Sequence, residues 1–147
     1  DILVQAIKQM NIKCVVAGDG NYFNKLIELI DYHNAKDNFK LTGMLEPEEL
    51  KTLTRKAKIG VTLFENTGLN QFQSLSNRFF DYMMAGTPQV CVGYPCYLEI
   101  LNKFPFAEPI KELSVHELVT ALNKVMNDDV KYQDLQEACK IASEVLN

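Results

Sequence analysis

The sequence predicts an α/β fold of the Rossmann-like type, with three layers in which helices cover both faces of a mainly parallel sheet. Short apolar runs alternate with longer segments of helical periodicity along the chain, as expected for successive βαβ units. The strand-like runs are almost wholly apolar, which is typical of parallel strands covered on both faces. At 147 residues the chain has the size of one domain, so we predict a single domain over residues 1–147.

The predicted elements follow one another in regular alternation, after an opening helical segment at Asp1–Met10. The predicted strands are Lys13–Ala17, Phe39–Thr42, Ile59–Phe64, Gln89–Val92 and Phe106–Ile110. The predicted helices are Tyr22–Tyr32, Glu46–Ala57, a helix capped by Ser74 or Ser76, Tyr97–Phe104, Ser114–Asn127 and Asp129–Leu146. Pro47 suits a first helical turn, and Ser114 with Glu117 three residues later forms a capping-box pattern.

The first element is unusual for this fold, because a doubly wound sheet normally opens with a central strand. We therefore expect a first strand upstream of residue 1, in a longer two-domain protein of which this chain is a fragment. Without that strand, the sheet would have a gap at its centre or a different strand order. In the alternative, Asp1–Ile7 is itself the strand.

Composition narrows the class of protein. The net charge of −4 argues against a nucleic-acid partner, which usually requires a basic face. The basic cluster within 51–58 lies beside acidic residues on a predicted helix and fits a solvated surface. Cys14 and Cys91 fall inside strand-like runs, and no CxxC pair occurs, so we predict reduced thiols in a cytoplasmic protein and no metal site.

The segment from Gln73 to Pro88 is the most informative in the chain. Apolar residues at helical spacing predict a buried helix face made by Phe79, Phe80, Met83 and Met84. Gly86 and Pro88 are typical of a helix end. Polar residues share the opposite side of this helix, which predicts a ligand-binding surface at Ser74, Asn77, Arg78 and Asp81.

Arg78 indicates what that ligand could be. It lies in the first helical turn, where the helix dipole disfavours a cation by about 0.3–1 kcal/mol. A phosphate group at the helix start would reverse this effect, because it can bind the free N–H groups and the guanidinium together. The alternative is an exposed ion pair between Arg78 and Asp81. In open parallel sheets ligands bind beyond the carboxyl ends of the strands, and this helix start lies there.

Four segments in sequence order resemble the C-terminal half of GT-B glycosyltransferases of the bacterial Glu-x7-Glu group, the glycosyl transferases group 1. They are Cys14–Gly20, Leu41–Leu50, Ala57–Val61 and Ser76–Pro88. The resemblance implies the donor-binding half of a retaining hexosyltransferase that moves a sugar from a nucleoside diphosphate sugar to a glycan or lipid-linked acceptor in surface polysaccharide synthesis. It implies an acceptor site in an N-terminal half, no cofactor or required metal, and a fragment that is inactive alone. Peripheral association of the longer protein with the inner face of the membrane is compatible with it.

The resemblance also implies roles for single residues. Gln73 and Arg78 are the implied catalytic residues, at the donor sugar and the diphosphate respectively. Asp81 falls where a carboxylate of the family holds the ribose hydroxyls. The other implied donor-binding residues are Gly18, Gly20, Gly43, Met44, Leu45, Ser74, Leu75, Ser76 and Asn77. The chain departs from the Glu-x7-Glu signature at both ends, because Gln73 and Asp81 replace glutamates.

Three other interpretations stay open. Asp19 follows a strand, as in a signalling receiver domain, but no acidic pair precedes it. A sugar-nucleotide epimerase or another GT-B relative would carry acidic and histidine-bearing loops that this chain lacks. A non-catalytic Rossmann-like partner domain would need no ligand. The segment Tyr94–Tyr97 fits either the rim of a sugar pocket or a simple turn with packing.

Overall fold

The computed structural model describes residues 1–20, 22–63 and 75–146, and its helices and strands alternate as predicted. The described helices are α1 (Ile2–Met10), α2 (Phe23–Tyr32), α3 (Pro47–Lys56), α4 (Asn77–Ala85), α5 (Pro95–Lys103), α6 (Val115–Met126) and α7 (Asp129–Leu146), with a 3-10 turn at Lys36–Asn38. The described strands are β1 (Cys14–Ala17), β2 (Phe39–Gly43), β3 (Gly60–Thr62), β4 (Gln89–Val92) and β5 (Ala107–Ile110).

The described strands form two parallel groups rather than one continuous sheet. Strand β1 pairs with β2, with Val16 opposite Leu41, whereas β4 lies between β3 and β5. Within the described ranges no strand pairing joins β1 to β3. The alternative strand at Asp1–Ile7 is wrong, because α1 is helical from Ile2.

Helix boundaries follow local capping chemistry. Ser76 is the N-cap of α4, and its Oγ accepts a hydrogen bond from the Arg78 N–H at 3.1 Å. Gly86 ends α4 in the left-handed region with φ of 72°. The predicted start of α5 at Tyr97 is two residues late, because Pro95 occupies the first turn of that helix.

Two hydrophobic clusters cover opposite faces of the β3–β4–β5 sheet. Val90 and Cys91 are neighbours in β4, are fully buried, and belong to different clusters, since successive strand side chains point to opposite faces. Helices α4, α5 and α7 contribute to the Cys91 side, and α1, α6 and α7 to the Val90 side. The start of α4 therefore lies beside the hydrophobic cluster on the Cys91 face of the sheet.

Helix α4 approaches β3 closely because β3 begins with glycine. A Cβ atom added at Gly60 would lie 2.5 Å from the ring of Tyr82, which is sterically impossible without movement of that ring. The ring of Tyr82 thus packs directly on the backbone of the strand. This close contact is possible only because Gly60 has no side chain.

An ion-pair network joins β5 to the two C-terminal helices. The carboxylate of Glu108 lies 2.9 Å from the Nζ of Lys124 in α6 and 2.9 Å from the Nζ of Lys131 in α7. Burial acts to raise the pKa of Glu108, but the hydrogen bonds from Lys131 and Lys124 outweigh burial and hold this pKa below its usual value.

We expect Glu108→Gln to lower the free energy of unfolding by about 1 kcal/mol at pH 7. The folded-state pKa of Glu108 lies below its unfolded value of about 4.3, so the stabilisation is fully present above that pH. It is lost as the pH falls through the folded-state pKa. Urea unfolding of the wild type and the variant between pH 7 and pH 2 measures this, with the exposed Glu137→Gln as control. A difference that does not shrink in acid would contradict the prediction.

Candidate functional site

Helix α4 separates a buried apolar face from an exposed polar one. Phe79 and Met83 are 0% and 1% exposed, so the predicted core face is confirmed at these positions. Met84 was predicted on the same face, but it is 48% exposed because it lies at the edge of the packed surface. The exposed side of the helix carries Asn77, Arg78 and Asp81. The structure therefore presents these three predicted site residues together to solvent.

The first turn of α4 carries backbone donors near its capping residue. The Arg78 N–H donates to Ser76 Oγ, and the Phe79 N–H donates to the Ser76 carbonyl oxygen at 3.2 Å. The Asn77 N–H has no hydrogen-bond partner among the residues that the structure describes. The helix start thus combines a donor that no described residue accepts with the positive end of the helix dipole, which is a favourable environment for an anion.

The side chain of Arg78 strengthens this positive potential. In the described part of the chain, no carboxylate lies within ion-pair distance of its guanidinium. The alternative of an Arg78–Asp81 ion pair is therefore not formed. Because a cation in the first turn opposes the helix dipole and no described carboxylate neutralises this one, its placement favours a site for an external anion.

Tyr97 makes a contact with this helix start that the sequence analysis did not predict. Tyr97 is fully buried in α5, and its Oη accepts a hydrogen bond from the Ser76 N–H at 3.1 Å. Its ring packs edge-on against Phe79, with the ring centroids 4.8 Å apart. Of the two interpretations of Tyr94–Tyr97, packing is the correct one for Tyr97. No local sequence signal indicates this contact, since 21 positions separate the two residues.

A second unpredicted contact ties the same turn to the sheet. Gln89 is fully buried, and its Nε2 donates to the Phe79 carbonyl oxygen at 2.9 Å. Its Oε1 accepts a hydrogen bond from Thr62 Oγ1 at 2.8 Å. Thr62 ends β3, so this pair links the carboxyl end of the strand to the first turn of α4. All of these buried polar groups are hydrogen-bonded, which makes the arrangement rigid.

Two glycines predicted at the donor site meet at the carboxyl ends of β1 and β2. The Gly18 N–H donates to the Gly43 carbonyl oxygen at 2.8 Å and forms an antiparallel bridge beyond the parallel pair. Their φ angles of 119° and 71° lie in the region that favours glycine. A backbone bridge between two glycines therefore closes this end of the β1–β2 pair.

Other predicted residues lie beside these glycines. Gly20, with φ of 152°, precedes α2, and its N–H donates to Asp19 Oδ1 at 2.7 Å. Met44 follows β2 and is 74% exposed, whereas Leu45 is partly buried. These residues lie beyond the carboxyl ends of β1 and β2, which is where the fold rule places ligands.

The predicted residues thus occupy two groups, one beyond β1 and β2 and one at the start of α4. No hydrogen bond between described residues joins the two groups. Leu75 is partly buried and packs against the hydrophobic cluster of α4 and α5. Gln73 and Ser74 lie outside the described residues, so their implied roles stay predictions.

The described residues contain neither a metal-binding cluster nor a membrane-spanning helix. No group of three or more histidine, cysteine or carboxylate side chains is assembled there. None of the described helices has both the length and the apolar character needed to cross a membrane.

Burial raises the pKa of Cys91 and of Cys139 to about 12 each, so both thiols are protonated at neutral pH.

Sequence relatives are found among glycosyltransferases. The family model described as "Glycosyl transferases group 1" matches residues 1–142. Alpha-monoglucosyldiacylglycerol synthase of Streptococcus pneumoniae (strain ATCC BAA-255 / R6) is 34% identical over 86 residues, which cover 57% of this chain and 18% of that protein. The chain therefore spans less than a fifth of this curated relative.

Solved structures show the same fold. Anabaena Alr3699/HepE in complex with UDP-glucose has a TM-score of 0.79 at 18% identity, over 97% of this chain and 40% of that chain. The C-terminal domain of the group 1 glycosyl transferase LpcC from Francisella tularensis has a TM-score of 0.78 at 12% identity, over 99% of this chain and 78% of that chain. These similarities confirm the predicted Rossmann-like fold of a GT-B C-terminal domain. The family model matches nearly the whole length of this chain. The chain therefore belongs to the glycosyl transferases group 1 family.

Proposed function

We propose that this chain binds the nucleoside diphosphate sugar donor of a glycosyltransferase, and that the full-length protein transfers the sugar to a glycan or lipid-linked acceptor. The observation that carries the proposal is the exposed polar side of α4. Within little more than one turn it presents the Asn77 N–H, the Arg78 guanidinium and the Asp81 carboxylate. These are the groups needed for a diphosphate and a neighbouring diol.

The diphosphate would bind at the start of α4. A helix N-terminus attracts an anion, and among the described residues neither the Asn77 N–H nor the Arg78 guanidinium has a hydrogen-bond or ion-pair partner, so both can bind a phosphate oxygen. In glycosyl transfer, negative charge develops on the departing diphosphate, and fixed donors at this position would stabilise it. No step of this scheme requires a metal ion.

The nucleoside and the sugar would lie on either side of the diphosphate. Asp81 is exposed one turn further along α4, where its carboxylate can accept two hydrogen bonds from the ribose hydroxyls. Gly18, Gly20 and Gly43 would allow the backbone to approach the donor closely. Met44 and Leu45 would form the wall against the base. In the same proposal, Gln73 would meet the donor sugar and Ser74 would belong to the donor-binding residues, and both lie outside the described residues.

Calorimetric titration of the folded chain with UDP, GDP and ADP tests this proposal. UDP is the first nucleotide to test, because the structurally similar HepE was solved with UDP-glucose. We expect selective binding of one nucleotide, with little change when magnesium is added. A folded chain that binds none of the three would contradict the proposal.

Arg78→Gln tests the diphosphate end of the site. We expect this change to weaken nucleotide binding by about 1 kcal/mol, roughly fivefold, because it removes a positive charge from the helix start. The matched control is Arg55→Gln, which changes the other arginine of the chain, exposed at the end of α3. Loss of Arg78 should slightly raise the thermal midpoint, because this cation opposes the dipole of α4, whereas loss of Arg55 from the last turn of α3 should slightly lower it. Equal affinities for both variants would contradict the role assigned to Arg78.

A further inference from the structure

We propose that Tyr97 is a positioning residue for donor binding: its phenol oxygen holds the Ser76 N–H and so keeps the start of α4 in the conformation that receives the diphosphate. This inference rests on the function proposed above. It assigns a role to a residue outside the set of donor-binding residues that the sequence predicts.

The phenol oxygen of Tyr97 is itself rigidly held. The side chain is fully buried, and its ring meets Phe79 edge-on at an interplanar angle of 87°. The Tyr97 N–H donates to the Tyr94 carbonyl oxygen at 3.0 Å in the first turn of α5. Backbone and ring are thus both constrained, so the acceptor for Ser76 has a defined position.

Ser76 transmits this position to the groups that face the ligand. Its backbone is extended, with φ of −81° and ψ of 141°, so its N–H points outside the helical ladder and needs another partner. Tyr97 is that partner, at 3.1 Å. The same residue caps the Arg78 N–H through its Oγ and precedes Asn77, whose N–H no other described residue accepts. A rotation of Ser76 would therefore break the cap on the Arg78 N–H and misdirect the Asn77 N–H.

Burial and charge suit Tyr97 to this task. Burial raises the pKa of the Tyr97 phenol, so it stays protonated at neutral pH. A neutral oxygen can accept the Ser76 N–H without adding negative charge beside an anion site. Because the N–H is held before the ligand arrives, less ordering is needed when the ligand binds, and such pre-organisation increases affinity.

Tyr97→Phe separates this role from packing, because it keeps the ring and removes only the acceptor. Tyr132→Phe is the matched control, since the Tyr132 hydroxyl in α7 also bonds to a backbone group, the Lys58 carbonyl oxygen. Both variants lose one phenol–backbone hydrogen bond, but only Tyr97→Phe releases Ser76. Calorimetry with UDP, GDP or ADP, whichever the wild type binds most tightly, compares the three proteins.

We expect Tyr97→Phe to raise the dissociation constant about threefold to tenfold, and Tyr132→Phe to leave it unchanged. Amide hydrogen exchange at Ser76 should become faster in Tyr97→Phe alone. Equal affinities of Tyr97→Phe and wild type would overturn this inference and leave the proposed function intact. An equal loss in both variants would overturn it as well, because general destabilisation would then explain the effect. If the wild type binds no nucleotide, the proposed function fails, and this inference fails with it.

Discussion

Phe79→Ala is expected to lower the free energy of unfolding by about 3–5 kcal/mol, the range for complete removal of a buried aromatic ring. Phe79 is 0% exposed and belongs to the hydrophobic cluster on the Cys91 side of the sheet. Its ring lies 4.8 Å from that of Tyr97 and 4.9 Å from that of Phe106. Domains of this kind are stable by about 5–15 kcal/mol in total, so this variant loses a large share of its stability.

Chemical unfolding with urea measures this loss, with Phe80→Ala as the matched control. Phe80 is the next residue of the same helix, but it is only partly buried, so its replacement should cost clearly less. Equal costs for the two variants would contradict the packing described for α4. Since the Phe79 carbonyl oxygen also accepts the Gln89 hydrogen bond, a shift of the helix would disturb its first turn as well.

Asp81→Ala is expected to weaken nucleotide binding by about 1.5–3 kcal/mol, roughly 10- to 150-fold, because in the proposed site it would remove the charged acceptor of two ribose hydrogen bonds. Asp81 is exposed and forms no ion pair with any residue in the described ranges. Its replacement should therefore leave the thermal midpoint almost unchanged. The expected signature is a loss of affinity without a loss of stability.

Calorimetric titration with the preferred nucleotide measures the effect of Asp81→Ala. The exposed Asp134→Ala in α7 serves as control for the change in net charge. The corresponding 2′,3′-dideoxynucleotide should bind the wild type and Asp81→Ala with similar affinity, because it lacks the hydroxyls that Asp81 would hold. Unchanged affinity of Asp81→Ala for the ordinary nucleotide would remove Asp81 from the site.

Local sequence signals predicted most of the fold. Periodicity and caps identify α4 and α6, where Ser114 Oγ accepts the Glu117 N–H at 3.1 Å as its spacing predicts. Boundaries were less accurate: the strand predicted at Ile59–Phe64 extends only over Gly60–Thr62, and Phe64 lies outside the described residues. A strand ends where its pairing ends, and the pairing partners of β3 are distant in sequence.

The supports of the candidate site could not be predicted in the same way. Tyr97 and Gln89 reach the first turn of α4 from other elements, and their hydrogen bonds depend on how those elements pack. A buried glutamine in a strand and a tyrosine near a helix start have many possible partners. The exposed stripe of α4 was predictable because helical geometry alone determines which residues share a side.

The division of α4 into a buried and an exposed side has an evolutionary consequence. The residues that hold the helix in place and those that would meet a ligand occupy different positions, so single changes on the exposed side leave the packing intact. Asp81, which is exposed on this side of the helix, is such a position. Stability limits which changes a lineage can accept, and this surface is largely exempt from that limit. What this surface binds can therefore change by single substitutions while the scaffold stays the same.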